Sequence, residues 1–122
     1  MSAETSPEAV VQRQLEAYNA RDAQALAATY AEDAKQFEHP ATPLASGRDR
    51  IRERMAARLR DPLVHARLLH RIVLGSTVID HEEVTRTFPE GPGTMRIVAM
   101  YEVREGLIAN AWFLFGTPVP RP

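Results

Sequence analysis

The chain has 122 residues, of which 44% are hydrophobic and 25% charged, a composition typical of one soluble globular domain. Its formal net charge of -1 gives no electrostatic reason to expect binding to nucleic acid or to an anionic membrane. With no cysteine, the chain has no disulfide, thiolate nucleophile or cysteine-based metal site. The sequence shows neither a signal-peptide pattern nor a membrane-spanning apolar run, so we expect a cytoplasmic protein.

The first part of the chain predicts two short helices that form an antiparallel pair. Ser6-Pro7-Glu8 is a helix start, because it combines a hydroxyl cap, a proline in the first turn and an acid near the positive end of the helix dipole. Val11, Leu15 and Tyr18 follow at helical spacing. Asp22 is placed to cap the second helix.

A short strand and a third helix follow. We expect a strand over 34–38, and then an irregular extended path over 39–43, where two prolines restrict the backbone. The third helix should open at Ser46 or Gly47 and run to about Arg60, where Asp61-Pro62 stops it.

The third helix is rich in arginine, with acids interspersed. Such a pattern indicates either an anion-binding or nucleic-acid-binding surface or a solvated face with internal ion pairs, and the near-neutral total charge favours the solvated face. The arginines are Arg48, Arg50, Arg52, Arg54, Arg58 and Arg60.

Two long strands are predicted over 63–74 and 77–87, joined at Gly75-Ser76. A two-residue turn there sets Arg71 opposite Asp80 on one face and His70 opposite His81 on the other. Apolar residues accompany both faces of the first strand, so alternation leaves open which face lies against the core.

The stretch 94–116 predicts a hairpin that turns at Arg104-Glu105-Gly106, with apolar residues on both faces. Because a solvated sheet face should alternate between apolar and polar residues, each face needs a cover. One predicted face comprises Met95, Ile97, Ala99, Tyr101, Val103, Leu107, Ala109, Ala111, Phe113 and Phe115. The other comprises Val98, Met100, Glu102, Ile108, Asn110, Trp112 and Leu114. A register shifted by one residue would exchange the faces of Asn110 and Trp112.

The order of elements indicates an α+β fold, with three N-terminal helices packed on a curved antiparallel sheet. We expect a single domain over 1–122, with 1–6 and 117–122 as tails. Several strings, in order, make the chain resemble the NTF2-like superfamily and its SnoaL-like, ketosteroid-isomerase-related branch. They are YNARD (18–22), TYAEDA (29–34), EHP (38–40), GRDRIRER (47–54), VIDHEEV (78–84) and YEVREGLIANAWF (101–113).

The resemblance implies a cone-shaped cavity between the helices and the sheet, and pairing of two subunits through the outer sheet face. It therefore implies a small hydrophobic ligand and a homodimer. The expected ligand-binding residues are Tyr18, Tyr30, Arg71, Ala99, Tyr101, Ala111 and Phe113. The expected interface residues are Val98, Met100, Asn110, Trp112 and Leu114.

The catalytic constellation of the steroid isomerases does not carry over intact. Their base falls on His39, their helix tyrosine on Gln14, and their protonated aspartate on Ala99, so steroid isomerisation itself is not the expected reaction. We expect instead either proton-transfer chemistry without a cofactor, as an isomerase or lyase, or a non-catalytic ligand-binding or interaction module. Acid/base candidates are His39, Asp80 and Glu82. We expect no metal: His70, His81 and His39 lack the ligand spacing that a metal site demands.

Overall fold

The structure, a computed structural model that describes residues 3–121, has the α+β architecture that the sequence predicts. After a short 3-10 helix, Ala3–Thr5, the helices are α1 (Pro7–Asn19), α2 (Ala23–Ala27) and α3 (Arg48–Arg58). The strands are β1 (Tyr30–Glu38), β2 (Thr42–Ser46), β3 (His65–Leu74), β4 (Thr77–Phe88), β5 (Gly91–Arg104), β6 (Leu107–Phe115) and β7 (Val119–Pro120). No helix in this part of the chain is long and apolar enough to cross a membrane.

The first two helices begin at the predicted caps. The Ser6 side chain accepts a hydrogen bond from the Ala9 amide at 3.2 Å, and Asp22 accepts one from the Ala25 amide at 2.9 Å. These bonds satisfy amides that would otherwise lack a partner at a helix start, which stabilises two helices that are short for isolated stability.

One curved sheet carries the fold, in the order β2-β1-β6-β5-β4-β3, with β7 added on β5. The pairing is antiparallel except between β1 and β6, which run parallel. The helices cover one face, where α1 contributes Val10 and Val11 and α3 contributes Ile51, all at 0% exposure. The inner sheet face and the helices therefore enclose the core, and the outer face keeps no cover within the described chain.

The structure has more strand than the sequence predicts before α3. Strand β1 begins at Tyr30 rather than at 34, and β2 occupies part of the stretch predicted as irregular. Pro43 lies within β2, which is an edge strand, where a missing amide hydrogen costs no ladder hydrogen bond on the outer side. In the predicted C-terminal tail, the short β7 pairs with Gly93 and Thr94; residues 1, 2 and 122 of the two tails lie outside the described residues.

The hairpin of β3 and β4 has the predicted turn and register. Arg71 lies opposite Asp80, and His70 lies opposite His81. The structure also settles the face that the sequence left open, because Asp80 and Glu82 are inward, at 0% and 4% exposure. Residues of β4 at even positions from 78 to 84 thus line the inner face.

The hairpin of β5 and β6 differs from the prediction near its turn. Its turn has two residues rather than three: Glu105 and Gly106 both have positive φ, at 53° and 77°, which suits a tight right-twisted hairpin. Val103 consequently lies opposite Ile108, and Ile108 is buried, whereas Leu107 and Ala109 are only half-buried. The predicted placement of these three β6 residues was therefore wrong.

A register shift after Glu102 restores the predicted faces for the rest of β6. Val98, Met100, Asn110, Trp112 and Leu114 all lie on the outer face, where Leu114 is 53% and Met100 38% exposed. Trp112 stacks on Phe37 of the neighbouring strand with ring centroids 5.9 Å apart.

Candidate functional site

A cavity lies between the inner sheet face and the helices α1 and α3. The volume of its interior is about 50 Å³. Its lining is Gln14, Leu15, Tyr18, Gln36, Arg54, Met55, Arg58, Ala66, Glu82, Val84, Arg86, Ile97, Tyr101, Phe113 and Phe115. The narrow interior limits a ligand to a small molecule unless the side chains move.

A buried ion pair between Arg71 and Asp80 lies behind the lining of the cavity. Arg71 donates from Nε to one oxygen of Asp80 at 2.7 Å and from Nη2 to the other at 3.0 Å. Arg71 also donates from Nη1 to the side-chain oxygen of Gln12 on α1 at 2.9 Å. Both carboxylate oxygens of Asp80 are engaged by Arg71, and the three side chains tie β3, β4 and α1 together.

Glu82 faces the cavity two residues further along β4. Burial, and then the negative charge of Asp80, raise its pKa to about 7, against a smaller lowering effect of Arg71. Within residues 3–121 no side chain forms an ion pair or hydrogen bond with Glu82. A carboxyl group with these properties changes protonation near neutral pH and is free to exchange its proton with a ligand.

Tyrosine hydroxyls and amides form the polar part of the wall around Glu82. Tyr101 donates from its hydroxyl to the Gln14 side-chain oxygen at 3.3 Å. Burial raises the pKa of Tyr18 and of Tyr101, so both phenols remain protonated at neutral pH. The single donor of Tyr101 is engaged by Gln14, which leaves the Tyr18 hydroxyl as the donor available to a ligand. Arg54 donates to Gln36 at 2.9 Å, and Gln36 donates to the Tyr30 hydroxyl at 3.1 Å.

Three arginines, Arg54 and Arg58 from α3 and Arg86 from β4, line the part of the cavity away from the ion pair; we call them the arginine cluster. None of the ion pairs in the described chain involves them. The Nε atom of Arg86 is buried and lacks a hydrogen-bond partner among residues 3–121. Burial and the neighbouring guanidinium groups lower the pKa of Arg54 and of Arg86.

The predicted catalytic residues separate into two places. Asp80 and Glu82 lie together on the inner face, whereas His39 is exposed at the turn between β1 and β2 and does not line the cavity. The catalytic role of His39 stays a prediction. In the described chain no cluster of three histidine or acidic side chains is arranged to hold a metal.

The predicted ligand-binding residues also fall into two groups. Tyr18, Tyr101 and Phe113 line the cavity. The others lie behind its surface: Tyr30, Ala99 and Ala111 are each 0% exposed, and Arg71 is held by Asp80. Their position makes them part of the wall that supports the lining.

Five polar residues of the lining were not predicted as site residues from the sequence: Gln14, Gln36, Arg54, Arg58 and Arg86. A signal for Arg86 was present, because it shares the even-numbered face of β4 with Val78 and Val84. Assigning those two valines to the core places Arg86 in the cavity as well. The two helix arginines carried a signal too, because Arg54 and Arg58 lie three and seven residues after Ile51, at the spacing of one helix face.

The fold is that of small α+β proteins in which helices pack on one face of a curved sheet, here with a cavity between the two. The profile of the SnoaL-like domain matches residues 11–111, and the chain belongs to this family within the NTF2-like superfamily. No curated protein matches the chain at a significant level.

Solved structures of this fold are similar over most of the chain. A cystatin fold protein from Novosphingobium aromaticivorans is 24% identical, with a TM-score of 0.81 over 88% of this chain and 97% of that one. An NTF2-like protein of unknown function from Mesorhizobium loti is 18% identical, with a TM-score of 0.79 over 96% of each chain. A protein with a ketosteroid isomerase-like fold from Catenulispora acidiphila, solved in complex with trimethylamine, is 18% identical, with a TM-score of 0.75 over 88% of this chain and 85% of that one.

Proposed function

We propose that the protein is a cofactor-independent enzyme that transfers a proton within a small, mainly apolar molecule, as an isomerase or a lyase. The observation that carries this proposal is Glu82, an unpaired carboxyl group that faces the cavity with a pKa of about 7. A carboxylate poised near the working pH can take up a proton and return it within one catalytic cycle.

The chemistry that these groups support begins with the ionised Glu82 removing a proton from a carbon next to a carbonyl group. The electron pair of the broken C–H bond moves into an enolate, whose oxygen accepts a hydrogen bond from a phenol. Tyr18 lines the cavity with Glu82 and is the phenol placed for this role, since Tyr101 donates to Gln14. Return of the proton to another carbon completes an isomerisation; departure of a leaving group from the enolate completes a lyase reaction.

Asp80 acts on this chemistry through Glu82. Its charge raises the pKa of Glu82, while its own oxygens are occupied by Arg71. Asp80 is thus a positioning residue in the proposal, and Glu82 is the catalytic residue. His39 lies outside the cavity lining, so a contribution from it would require a ligand that reaches the β1–β2 turn.

The test uses cyclohex-3-enone, a small ketone whose conversion to the conjugated isomer is followed by ultraviolet absorption, and ¹H NMR in D₂O, which reports exchange of hydrogens next to the carbonyl. We expect conversion or exchange above the buffer rate, rising with pH around 7 and lost in Glu82→Gln. The matched control is Glu83→Gln, which changes the neighbouring acid on the outer face. Asp80→Asn and His39→Ala extend the series: the first should shift the pH profile, and the second should leave it unchanged.

Rates in the wild type equal to those in Glu82→Gln, for this ketone and for a panel of small cyclic ketones, would contradict the enzymatic proposal. The alternative is then a non-catalytic ligand-binding module. Its support is that the trimethylamine complex of the Catenulispora protein places a small organic molecule on the same fold. That alternative predicts ligand binding without conversion.

We also propose that the protein works as a cytoplasmic homodimer joined through the outer sheet face. The support is the apolar outer face of β5 and β6, where Met100 and Leu114 are exposed and Trp112 is half-buried. Light scattering should give twice the monomer mass, and Leu114→Glu should reduce it by half. A wild-type protein of monomer mass would count against this face as an interface.

A further inference from the structure

The arginine cluster carries charge that the described chain does not neutralise. Its members come from two elements, α3 and β4, and converge on one cavity wall. A buried or half-buried charge normally has a partner, because desolvation of an isolated charge costs several kcal/mol. The absence of an ion pair to any of these three arginines in the described chain therefore requires a reason.

Aromatic rings hold two of the guanidinium groups in place without using their hydrogen-bond donors. The central carbon of Arg54 lies 5.8 Å from the centroid of the Phe113 ring, and that of Arg86 lies 5.2 Å from the centroid of the Phe88 ring. Arg54 makes one side-chain hydrogen bond, to Gln36, and the Nε of Arg86 makes none within residues 3–121. Each guanidinium has five N–H donors, so the cluster retains many for a ligand.

The acids nearest to the cluster in the described chain, Asp61 and Glu82, do not occupy its hydrogen-bond donors. Asp61 is near Arg86, but its oxygens accept hydrogen bonds from the amides of Leu63 and Thr87. Glu82 lies four residues before Arg86 on the same strand face, which separates their Cα atoms by roughly 13 Å along β4. The charges of Arg86 and of Glu82 act in opposite directions on the pKa of Tyr18, the first lowering it and the second raising it.

We propose that the arginine cluster binds the anionic group of a small organic ligand, a carboxylate or a phosphate ester, whose apolar body extends through the cavity toward Glu82. Arginine suits this role because its planar fork matches the oxygens of carboxylates and phosphates. Met55, Ile97 and Phe113 supply the apolar wall between the two ends. The separation between the cluster and Glu82 then selects ligands of a few carbon atoms, in keeping with the narrow interior.

This inference extends the proposed function by assigning a substrate class, but binding alone tests it. Isothermal titration calorimetry at low ionic strength compares hexanoate with the neutral hexanamide, and hexyl phosphate with hexanol. We expect at least one anion to bind about tenfold or more tightly than its neutral partner. We also expect this preference to weaken when salt is added. Comparison of hexanoate with hexyl phosphate shows which anionic group the cluster prefers.

Variants locate the bound anion. Arg58→Gln and Arg86→Gln should each lower the affinity for the preferred anion about tenfold, whereas Arg50→Gln should leave it unchanged. Arg50 is the matched control because it lies on the same helix, pairs with Glu53 and is exposed. Equal affinity for anions and neutral partners overturns the proposal, as does an absence of anion binding at millimolar concentration. An equal loss in Arg50→Gln overturns it too. NMR spectra establish that each variant is folded. If Arg86→Gln does not fold, the affinity of Arg58→Gln for the anion decides the outcome.

Glu82→Gln separates this inference from the proposed reaction. The variant removes a negative charge from the cavity, so it should bind the anion as well as, or better than, the wild type. Anion binding without any turnover would refute the proton-transfer chemistry and leave the anion site standing. Turnover of neutral ketones without anion binding would refute the anion site and leave the proton-transfer chemistry standing.

Discussion

Arginine is removed from bulk water in two regions around the cavity, and its charge is paired in only one of them. Behind the lining, the Arg71 side chain is 9% exposed and donates to both oxygens of Asp80 and to Gln12. In the lining, the arginine cluster contains a buried Nε without a partner in the described chain. We call the first the complete region and the second the incomplete region. Hydrogen-bond partners, rather than burial, distinguish the structural arginine from the arginines proposed to bind a ligand.

The strongest test breaks the complete region. Arg71→Leu leaves Asp80 buried without its partner, and we expect it to lower the free energy of unfolding by about 3 kcal/mol. The double variant Arg71→Leu/Asp80→Leu should recover most of this loss, since it removes the isolated charge. Urea unfolding at pH 7 measures both.

The matched control for that test is Arg67→Leu, which breaks the exposed pair between Arg67 and Glu83 on the same two strands. Its cost should stay below about 1 kcal/mol. If Arg71→Leu costs no more than Arg67→Leu, the buried pair has no special structural role.

The next test concerns Glu82, which stands between the two regions. Its pKa rises from 4.5 to about 7 on folding, so the folded state holds this proton more tightly than the unfolded state does. The stabilisation from the proton is complete below pH 4.5 and is lost as the pH rises through about 7. Glu82→Gln should therefore match the wild type in acid and exceed its stability above pH 7, by up to about 3 kcal/mol.

Urea unfolding across this pH range measures the effect, with Glu83→Gln as the control on the outer face. If the difference in stability between the wild type and Glu82→Gln were the same at all pH values, folding would not change the pKa of Glu82. The catalytic proposal would then lose its main support.

The smallest effect is expected in the incomplete region. Arg86→Met removes a buried donor without a partner and the repulsion from Arg58, and should raise the free energy of unfolding by about 1 kcal/mol. The expected change in the free energy of unfolding is opposite in sign to that of Arg71→Leu, although both changes replace an arginine of the cavity wall by an apolar residue.

Thermal unfolding of Arg86→Met without added anions provides the measurement. Arg104→Met, which changes an exposed arginine in a local pair, should stay within about 0.5 kcal/mol of the wild type. A clear destabilisation by Arg86→Met would mean that Arg86 supports the fold rather than awaiting a ligand.

Local patterns predicted much of the fold. The caps at Ser6 and Asp22 and the Gly75-Ser76 turn depend on neighbouring residues, and the structure confirms all of them. The predicted length of the β5–β6 turn was wrong, because two- and three-residue turns share the same sequence signal at Glu105-Gly106. Only the pairing of the strands distinguishes the two turns.

The candidate site was less predictable than the fold. Asp80 and Glu82 were found as an acidic pair, but their face depended on which side of β4 meets the helices. Arg54 and Arg58 were assigned to a solvated helix face from the near-neutral total charge, although their spacing puts them on the same face of α3 as the buried Ile51. The structure places these two in the lining and leaves Arg50 exposed.

The sequence was enough to predict the order of the three helices and of the strands β1 and β3 to β6, and to set Arg71 opposite Asp80, because these depend on periodicity, turns or register along neighbouring segments. The family followed from the resemblance of several local strings in order. The unpaired position of Glu82 in a cavity, and the meeting of arginines from α3 and β4 there, emerged from the tertiary structure alone. Burial and charge balance are set by contacts between segments far apart in the chain. They are the properties that distinguish the ion pair of the wall from the groups free to act on a ligand.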